Sequence, residues 1–361
     1  MTELSVIIPT RGRPERLRAC LRSLAEIRDE AEIEVLVTVD GAAKQERDVA
    51  DEVLRGQVDY VVLDGPASGP AAARNRAITA ATRPITLLLN DDVVCRPGLL
   101  AEHASAHDEA KRPAMILGSA PWAIRADDRL FDRMVRETST VFFYDQMVGE
   151  QRGHRMRDWG FRHGWTLNLS LPTELARGLG FSERMPRPVY EDLEFAYRVR
   201  ETSGAPVLFR PDAEVVHHHW YEPEELLRRD VLLGHQALAL ADVNPECAKE
   251  MFGRKLGGQT EHRFALQYVS RQRSLAVRSA RLLGRSVSIG GGEAGTFALE
   301  SLYEASLHAR RWCWHAGLLG HLEGCTPDEQ IPEVAEVLLA AKEATQRVRP
   351  EIPLHRLGVP A

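Results

Sequence analysis

Cysteine is scarce in this chain: Cys20, Cys95, Cys247, Cys313 and Cys325 are odd in number and widely scattered over 361 residues. No two of them stand at metal-ligand spacing, which excludes a cysteine-built zinc site or a disulfide scaffold and points to reduced thiols in a cytoplasmic chain. Long apolar runs are also missing. No stretch reaches the roughly 20 apolar residues that a membrane span needs, so any membrane association is expected to be peripheral. Met1-Thr2-Glu3-Leu4 leads straight into a strand pattern, without the basic and apolar regions of a signal peptide. Nor is there an excess of positive charge. Lys and Arg number 46 against 52 Asp and Glu, a net charge of −6, which argues against a nucleic-acid partner. Internal repeats are absent, and Gly290-Gly291-Gly292 reads as a loop.

What is present is the composition of a globular protein, 44% hydrophobic and 27% charged. Ser5-Val6-Ile7-Ile8-Pro9 is an apolar, β-branched run suited to a strand buried on both faces of a parallel sheet. A helix is predicted from Pro14, with Leu17, Cys20, Leu21 and Leu24 on one face. Residues 34–39, 60–63 and 85–89 read as further strands, and 44–56 and 71–81 as helices, with another helix beginning at Pro97. Strands alternating with helices predict an α/β fold built on a mostly parallel, doubly wound sheet. Farther on, 114–119 reads as a strand, 191–200 as a helix, and 206–209 and 214–216 as two short strands flanking Pro211-Asp212. Behind Pro223 the texture turns to long helical patterns at 223–242, 262–283, 296–319 and 331–347. The predicted organisation is a catalytic domain over 1–222, in halves of about 1–110 and 111–222, followed by a helical C-terminal region over 223–361.

In a doubly wound sheet, ligands bind beyond the carboxyl ends of the strands. Pro9-Thr10-Arg11, Asp40 and Asn90-Asp91-Asp92 all fall at such ends. Asn90-Asp91-Asp92 is either a turn or the oxygen donor set of a hard divalent cation, Mg²⁺ or Mn²⁺. Such a cation neutralises the charge that builds on a departing diphosphate. Glu191-Asp192 opens a helix, where acids serve either as capping groups or as a general base. In His217-His218-His219, strand alternation puts His217 and His219 on one face, as a packed histidine cluster or as ligands suited to Mn²⁺. Asp40 is a turn acid or an acceptor for a base imide N–H. Arg74 is a solvated helix charge or a phosphate contact near its helix's amino-terminal turns.

Taken in order, these motifs resemble glycosyltransferase family 2. The opening S-V-I-I-P-T-R-G-R-P-E-R-L is similar to that family's nucleotide-binding start, implicating Pro9, Thr10 and Arg11. V-T-V-D-G-A resembles the strand whose Asp pairs with the base, here Asp40. G-P-A-A-A-R-N-R-A-I resembles its Ala-Arg-Asn helix, giving Arg74 a nucleotide or phosphate role. L-L-L-N-D-D-V-V resembles the D-x-D region with Asn90 in place of the first acid, leaving Asp92 as the metal ligand and Asp91 as its helper. G-W-T-L-N-L-S-L-P and L-G-F-S-E-R-M resemble the acceptor side, implicating Trp165 and Glu183. Y-E-D-L-E-F resembles the Glu-Asp motif, which makes Asp192 the catalytic base beside Glu191. V-V-H-H-H resembles the late histidine that completes metal coordination; His217 aligns best, with His219 on the same face.

The resemblance covers residues 4 to about 220 and implies a GT-A fold. It implies a transferase that takes a nucleotide-diphosphate sugar and a divalent metal, Mn²⁺ or Mg²⁺. The acceptor is a hydroxyl on a carbohydrate, a lipid-linked molecule or a small molecule, and the expected course is inverting, direct displacement. Rival readings are a retaining transferase, a sugar nucleotidyltransferase, and a non-catalytic binding module. In the helical tail, Arg271, Arg273, Arg278, Arg281 and Arg285 accompany Leu275, Val277, Leu282 and Leu283. The expectation is a tail packed on the acceptor side with solvated arginines, able to support a homodimer; contact with anionic lipid is the alternative.

Overall fold

The structure, a computed structural model, describes residues 2–41, 44–138, 140–142, 144, 147–148, 154–293, 295–329 and 331–348. The chain divides into two compact units, each assembled from several segments. The first comprises Met1–Ala123, Gln146–His219 and Val243–Gly253; the second comprises Ile124–Asp145, Trp220–Asp242 and Arg254–Ala361.

An eight-stranded sheet in the order β3-β2-β1-β4-β7-β6-β8-β5 organises the first unit. Its strands are β1 (Leu4–Thr10), β2 (Ile33–Asp40), β3 (Asp59–Gly65), β4 (Ile85–Leu89), β5 (Val93–Cys95), β6 (Met115–Ser119), β7 (Asn168–Pro172) and β8 (Val207–His217). Val6, Ile7 and Ile8 are wholly buried, because β1 lies between β2 and β4, pairing in parallel with both. Burying each such side chain contributes about 1.5–3 kcal/mol. From β1 the chain winds outward to β2 and β3, then returns to place β4 on the other side. The strand order therefore switches direction between β1 and β4, and their carboxyl ends open a crevice there. The doubly wound, mostly parallel sheet and the helical C-terminal region predicted from the sequence are both present.

Helices α1 (Pro14–Glu26), α2 (Lys44–Leu54), α3 (Pro70–Ala80), α4 (Leu99–Glu109), α6 (Thr173–Leu179) and α7 (Glu191–Ser203) belong to this unit; α5 (Leu130–Glu137) belongs to the other. The buried face of α1 contains Leu17, Cys20, Leu21 and Leu24, as the spacing predicts. Gly98 stands at the N-cap of α4, where the Glu30 carboxylate accepts from the backbone N–H of Gly98 (2.6 Å) and Leu100 (3.1 Å). That helix thus begins slightly beyond Pro97.

The two short strands expected around Pro211-Asp212 are one strand, β8. Gly118 pairs with Arg210 while the next residue, Ser119, pairs with Glu214, so residues 211–213 bulge out of the ladder. Pro211 has no N–H to give the sheet. The bulge is held by side chains instead: Ser119 Oγ donates to the Pro211 carbonyl (2.8 Å) and Asn168 Nδ2 to that of Ala213 (2.8 Å). A further helix, α9 (Pro245–Phe252), also belongs to the first unit; Arg200 of α7 forms a bidentate pair with Glu250 at 2.6–2.7 Å.

The second unit is helical, with α5, α8 (Pro223–Val243), α10 (Gly258–Ser286), α11 (Thr296–Leu322) and α12 (Pro332–Val348). Helices α8 and α11 meet backbone to backbone. A Cβ on Gly234 would fall 1.8 Å from the Trp314 carbonyl oxygen, and one on Gly317 equally close to that of Val231. Buried Asp230 pairs with Arg310 at 2.9 Å. On α10 the five predicted arginines are exposed, and Arg273 pairs with Glu336. Val277 and Leu283 are buried whereas Leu282 is exposed. Among the described residues, no helix is long and apolar enough to cross a membrane.

Candidate active site

Two pairs of acids and a pair of imidazoles gather at the crevice beyond β1 and β4. Asp91 and Asp92 lie just past the end of β4, behind Asn90, and both are buried. Asp91 Oδ2 accepts a hydrogen bond from Thr10 Oγ1 at the end of β1 (2.7 Å), and its Oδ1 lies 2.5 Å from Arg13 Nη2. Asp92 looks toward the end of β8. His217 Nε2 is 3.6 Å from Asp92 Oδ1, and His219 Nδ1 is 3.5 Å from Oδ2. One ligand atom from each of Asp92, His217 and His219 falls within 4.8 Å of the others.

The register of the sheet explains this meeting. Val93 of β5 pairs with His217 of β8, and the His218 N–H donates to the Asp92 carbonyl (2.8 Å), extending the ladder past the strand's end. His217 is further fixed by Trp122, whose ring centroid lies 4.5 Å away. Burial lowers the pKa of His217, with Asp92 opposing that shift, and so favours the neutral imidazole, the form that can ligate. Burial also opposes ionisation of Asp92, but His217, His219 and Arg13 outweigh it and hold its carboxyl well below the usual carboxylate range. Asp91 moves the other way: burial and the charge of Asp92 lift it to about 6, against the pull of Arg13.

This donor set suits a divalent cation. One carboxylate and two imidazoles converge, and the buried Asp92 Oδ1 accepts no hydrogen bond among the described residues. Imidazole donors favour Mn²⁺ over Mg²⁺.

The second acid pair opens α7. Glu191 is buried and accepts from Arg74 Nη1 at 3.0 Å; Arg74 Nη2 reaches Asn90 Oδ1 at 3.5 Å. Arg74 is therefore buried rather than solvated. It is a buried link between the residue preceding Asp91 and the start of α7, with its guanidinium 5.4 Å from the Phe181 ring centroid. Burial and the Asp192 charge push Glu191 up to about 7, with Arg74 opposing. Asp192 is raised as well, by burial, against Arg74 and the backbone N–H groups of Leu193 and Thr166. Its Oδ1 accepts from the Leu193 N–H at 2.8 Å. Tyr190, just before the pair, has φ 65° and is the one non-glycine residue with positive φ among the described residues. A bulky side chain in that region costs about 1–3 kcal/mol, a strain characteristic of functional sites.

The remaining predicted residues have defined places. Asp40 accepts from the N–H groups of Ser68 (2.8 Å) and Gly69 (3.1 Å), pinning the turn into α3, and Arg11 Nη1 is 3.5 Å from its other oxygen. A side chain at Gly69 is excluded, because its Cβ would lie 1.9 Å from the Pro186 carbonyl oxygen. Pro9 is half-buried at the end of β1. Glu183 is exposed and accepts from Asn75 Nδ2 (2.9 Å), and Asn75 also exchanges hydrogen bonds with the Phe181 backbone. Trp165 is buried, with its ring 5.3 Å from that of His163.

Sequence reasoning missed Arg13, Arg16, Trp122 and Asn75. A signal existed for the arginines: Arg13 and Arg16 continue the buried stripe of Leu17 and Cys20 toward the start of α1. The helix dipole disfavours cations there unless an anion is close by. Asp91 and Asp92 are that anion.

Residues 5–165 match the sequence model of glycosyl transferase family 2. This segment is a family 2 glycosyltransferase domain. The chain is 28% identical over 258 residues to a pre-mycofactocin glycosyltransferase of Mycobacterium tuberculosis, an alignment covering 68% of this chain and 48% of that one. It is also 28% identical over 218 residues to a validoxylamine A glucosyltransferase of Streptomyces hygroscopicus subsp. jinggangensis, covering 54% of this chain and 51% of that one. The chain thus spans about half the length of the curated relatives it matches. Among solved structures, residues 1–349 of S. aureus TarS superimpose with a TM-score of 0.47 at 14% identity, over 90% of this chain and 92% of that one.

Proposed function

We propose that the protein transfers a sugar from a nucleotide-diphosphate donor to an acceptor hydroxyl, by direct displacement with inversion and with a bound divalent cation. The observation that carries this reading is the convergence of Asp92, His217 and His219 on one side of a crevice that also holds Glu191 and Asp192. Asp92 and His217 would hold the cation, His219 would complete the set, and Asp91 would support Asp92. A divalent cation bound there supplies Lewis-acid neutralisation of the negative charge developing on the diphosphate.

The chain's own residues account for the rest. Asp192 accepts the acceptor hydroxyl's proton as that oxygen bonds to the anomeric carbon and the bond to the diphosphate breaks. Its raised pKa makes it a better base than an exposed aspartate. Glu191 and Arg74 fix its place, and Thr10, Arg11 and Asp40 line the nucleotide side. Glu183 and Trp165 belong to the acceptor side, the first directly and the second as its packed support. The family match and the curated relatives support the transferase reading.

The test is a panel of nucleotide sugars with Mn²⁺ or Mg²⁺, read by thermal shift and then by product analysis. The expected result is stabilisation by one donor class only with metal, and release of a nucleoside diphosphate. Release of pyrophosphate indicates a nucleotidyltransferase instead. Metal-independent binding with no turnover would sink the proposal.

A further inference from the structure

Three side chains converge on one oxygen. Asp92 Oδ2 lies 3.2 Å from Arg13 Nη1, 3.5 Å from Arg16 Nη1 and 3.5 Å from His219 Nδ1. Arg16 Nη1 is also 3.5 Å from His219 Nδ1. The imidazole has a lone pair and can ligate a cation. A guanidinium has none and is permanently charged. Both arginines therefore compete with a cation for the carboxylate that would hold it.

The competitors differ in their freedom to leave. The carboxylates of Asp91 and Asp92 are fixed and buried, whereas the Arg13 and Arg16 side chains are 40% and 38% exposed. A diphosphate presents several anionic oxygens, and guanidinium is well matched to them in charge and hydrogen-bond geometry. Asp92 Oδ1 meanwhile accepts no hydrogen bond among the described residues, so the arginines leave part of the carboxylate unsatisfied.

We propose that Arg13 and Arg16 are diphosphate-binding residues held on the metal carboxylates, and that they make cation and nucleoside diphosphate bind cooperatively. The proposal rests on the metal-dependent transferase reading. A cation arriving alone must displace the guanidinium groups from Asp92. A cation arriving with a diphosphate finds them drawn to the phosphate oxygens. By linkage, each ligand then raises the affinity of the other.

The experiment is a Mn²⁺ titration by electron paramagnetic resonance on the full chain, alone and with UDP, GDP or inorganic pyrophosphate in separate runs. Wild type is compared with Arg16→Gln, Arg13→Gln and Arg16→Lys, and circular dichroism establishes that each is folded. Arg16→Gln and Arg13→Gln should bind Mn²⁺ alone a few-fold more tightly. The enhancement of Mn²⁺ binding by the diphosphate should fall about tenfold, the loss expected of one charge-assisted hydrogen bond. Arg16→Lys, which keeps the charge without the fork, should fall between. A purely structural role moves both quantities the same way and overturns the proposal, as does an unchanged enhancement. If wild type binds Mn²⁺ in none of these mixtures, the metal reading itself fails and this proposal with it. If wild type binds and all variants match it, the arginine proposal alone falls.

Discussion

The crevice contains two pairs of adjacent acids, and their surroundings give them opposite properties. Asp91-Asp92 stands among Arg13, Arg16, His217 and His219, so Asp92 stays ionised far into acid. Glu191 is buried and Asp192 half-buried, with one guanidinium, Arg74, paired to Glu191, so both members resist ionisation and Glu191 titrates near 7. The chemistry of the residues hardly differs; the number of nearby guanidinium groups does. One pair is suited to hold a cation and the other to exchange a proton near neutral pH. Arg74 touches Asn90, the residue beside the first pair, and Glu191 of the second, tying the two regions to one scaffold.

The sharpest way to break the comparison is to remove the cation side. Asp92→Ala should abolish detectable transfer, a loss of at least about 10³-fold, because the departing diphosphate loses its electrostatic stabiliser. Stabilisation by nucleotide sugar should lose its metal dependence while the circular dichroism spectrum is kept. Full turnover in EDTA, or in the variant, would contradict the cation role. On the proton side, Asp192→Asn should cut kcat by roughly 10²–10⁴-fold with the donor KM little changed. Near-normal turnover in this variant would move the base to Glu191 or Glu183.

Much of this arrangement was legible in the sequence because parallel strands buried on both faces read as uninterrupted apolar runs. Strands β1, β2 and β4 carry that signature, and Thr10, Asp40 and Asp92 follow from where those runs stop. Strand β7 was missed for the converse reason. Its Asn168 and Ser170 are buried polar residues, hydrogen-bonded to His103 and His107, and they break the apolar pattern. Strand β5 is three residues long and leaves no periodicity to detect. The buried, bridging role of Arg74 was hidden too, since Glu191 lies 117 positions away and only the folded chain brings them together. The two strands expected around Pro211 are one because side chains of β6 and β7 satisfy the bulge's carbonyls.

The pH dependence of stability separates the pairs without an activity assay. Glu191 has a folded pKa of about 7 against an ordinary 4.5, so its contribution is fully present below 4.5 and is lost as pH rises through 7. Asp92 is lowered from 3.8, so its contribution is present above 3.8 and is lost only as pH falls. Glu191→Gln removes the first effect and leaves the second. Its Tm relative to wild type should therefore rise by a few degrees between about pH 5 and pH 7.5, and the acid limb of kcat should move to lower pH as Asp192 loses a charged neighbour. A flat Tm difference across that window would mean that Arg74 keeps Glu191 ionised throughout.

The smallest expected effect sharpens the cation side by separating its two imidazoles. His217 is buried, packed against the Trp122 ring, and fixed through its backbone to Pro121 and Ala123, so its ring is already placed for a ligand's work. His219 lies past the end of β8 with its side chain 27% exposed, and Arg16 stands 3.5 Å from its Nδ1. A preorganised donor loses little entropy on binding, whereas a mobile one gives back part of what its bond supplies. His217→Gln should therefore weaken Mn²⁺ binding by about ten- to a hundredfold, the range seen when metal-site geometry is disturbed. His219→Gln should weaken it by only a few-fold, with the smaller loss in kcat. Mn²⁺ titrations of the two variants side by side decide the matter. Equal losses would make the imidazoles equivalent ligands, and a larger loss in His219→Gln would place the stronger donor on the exposed side.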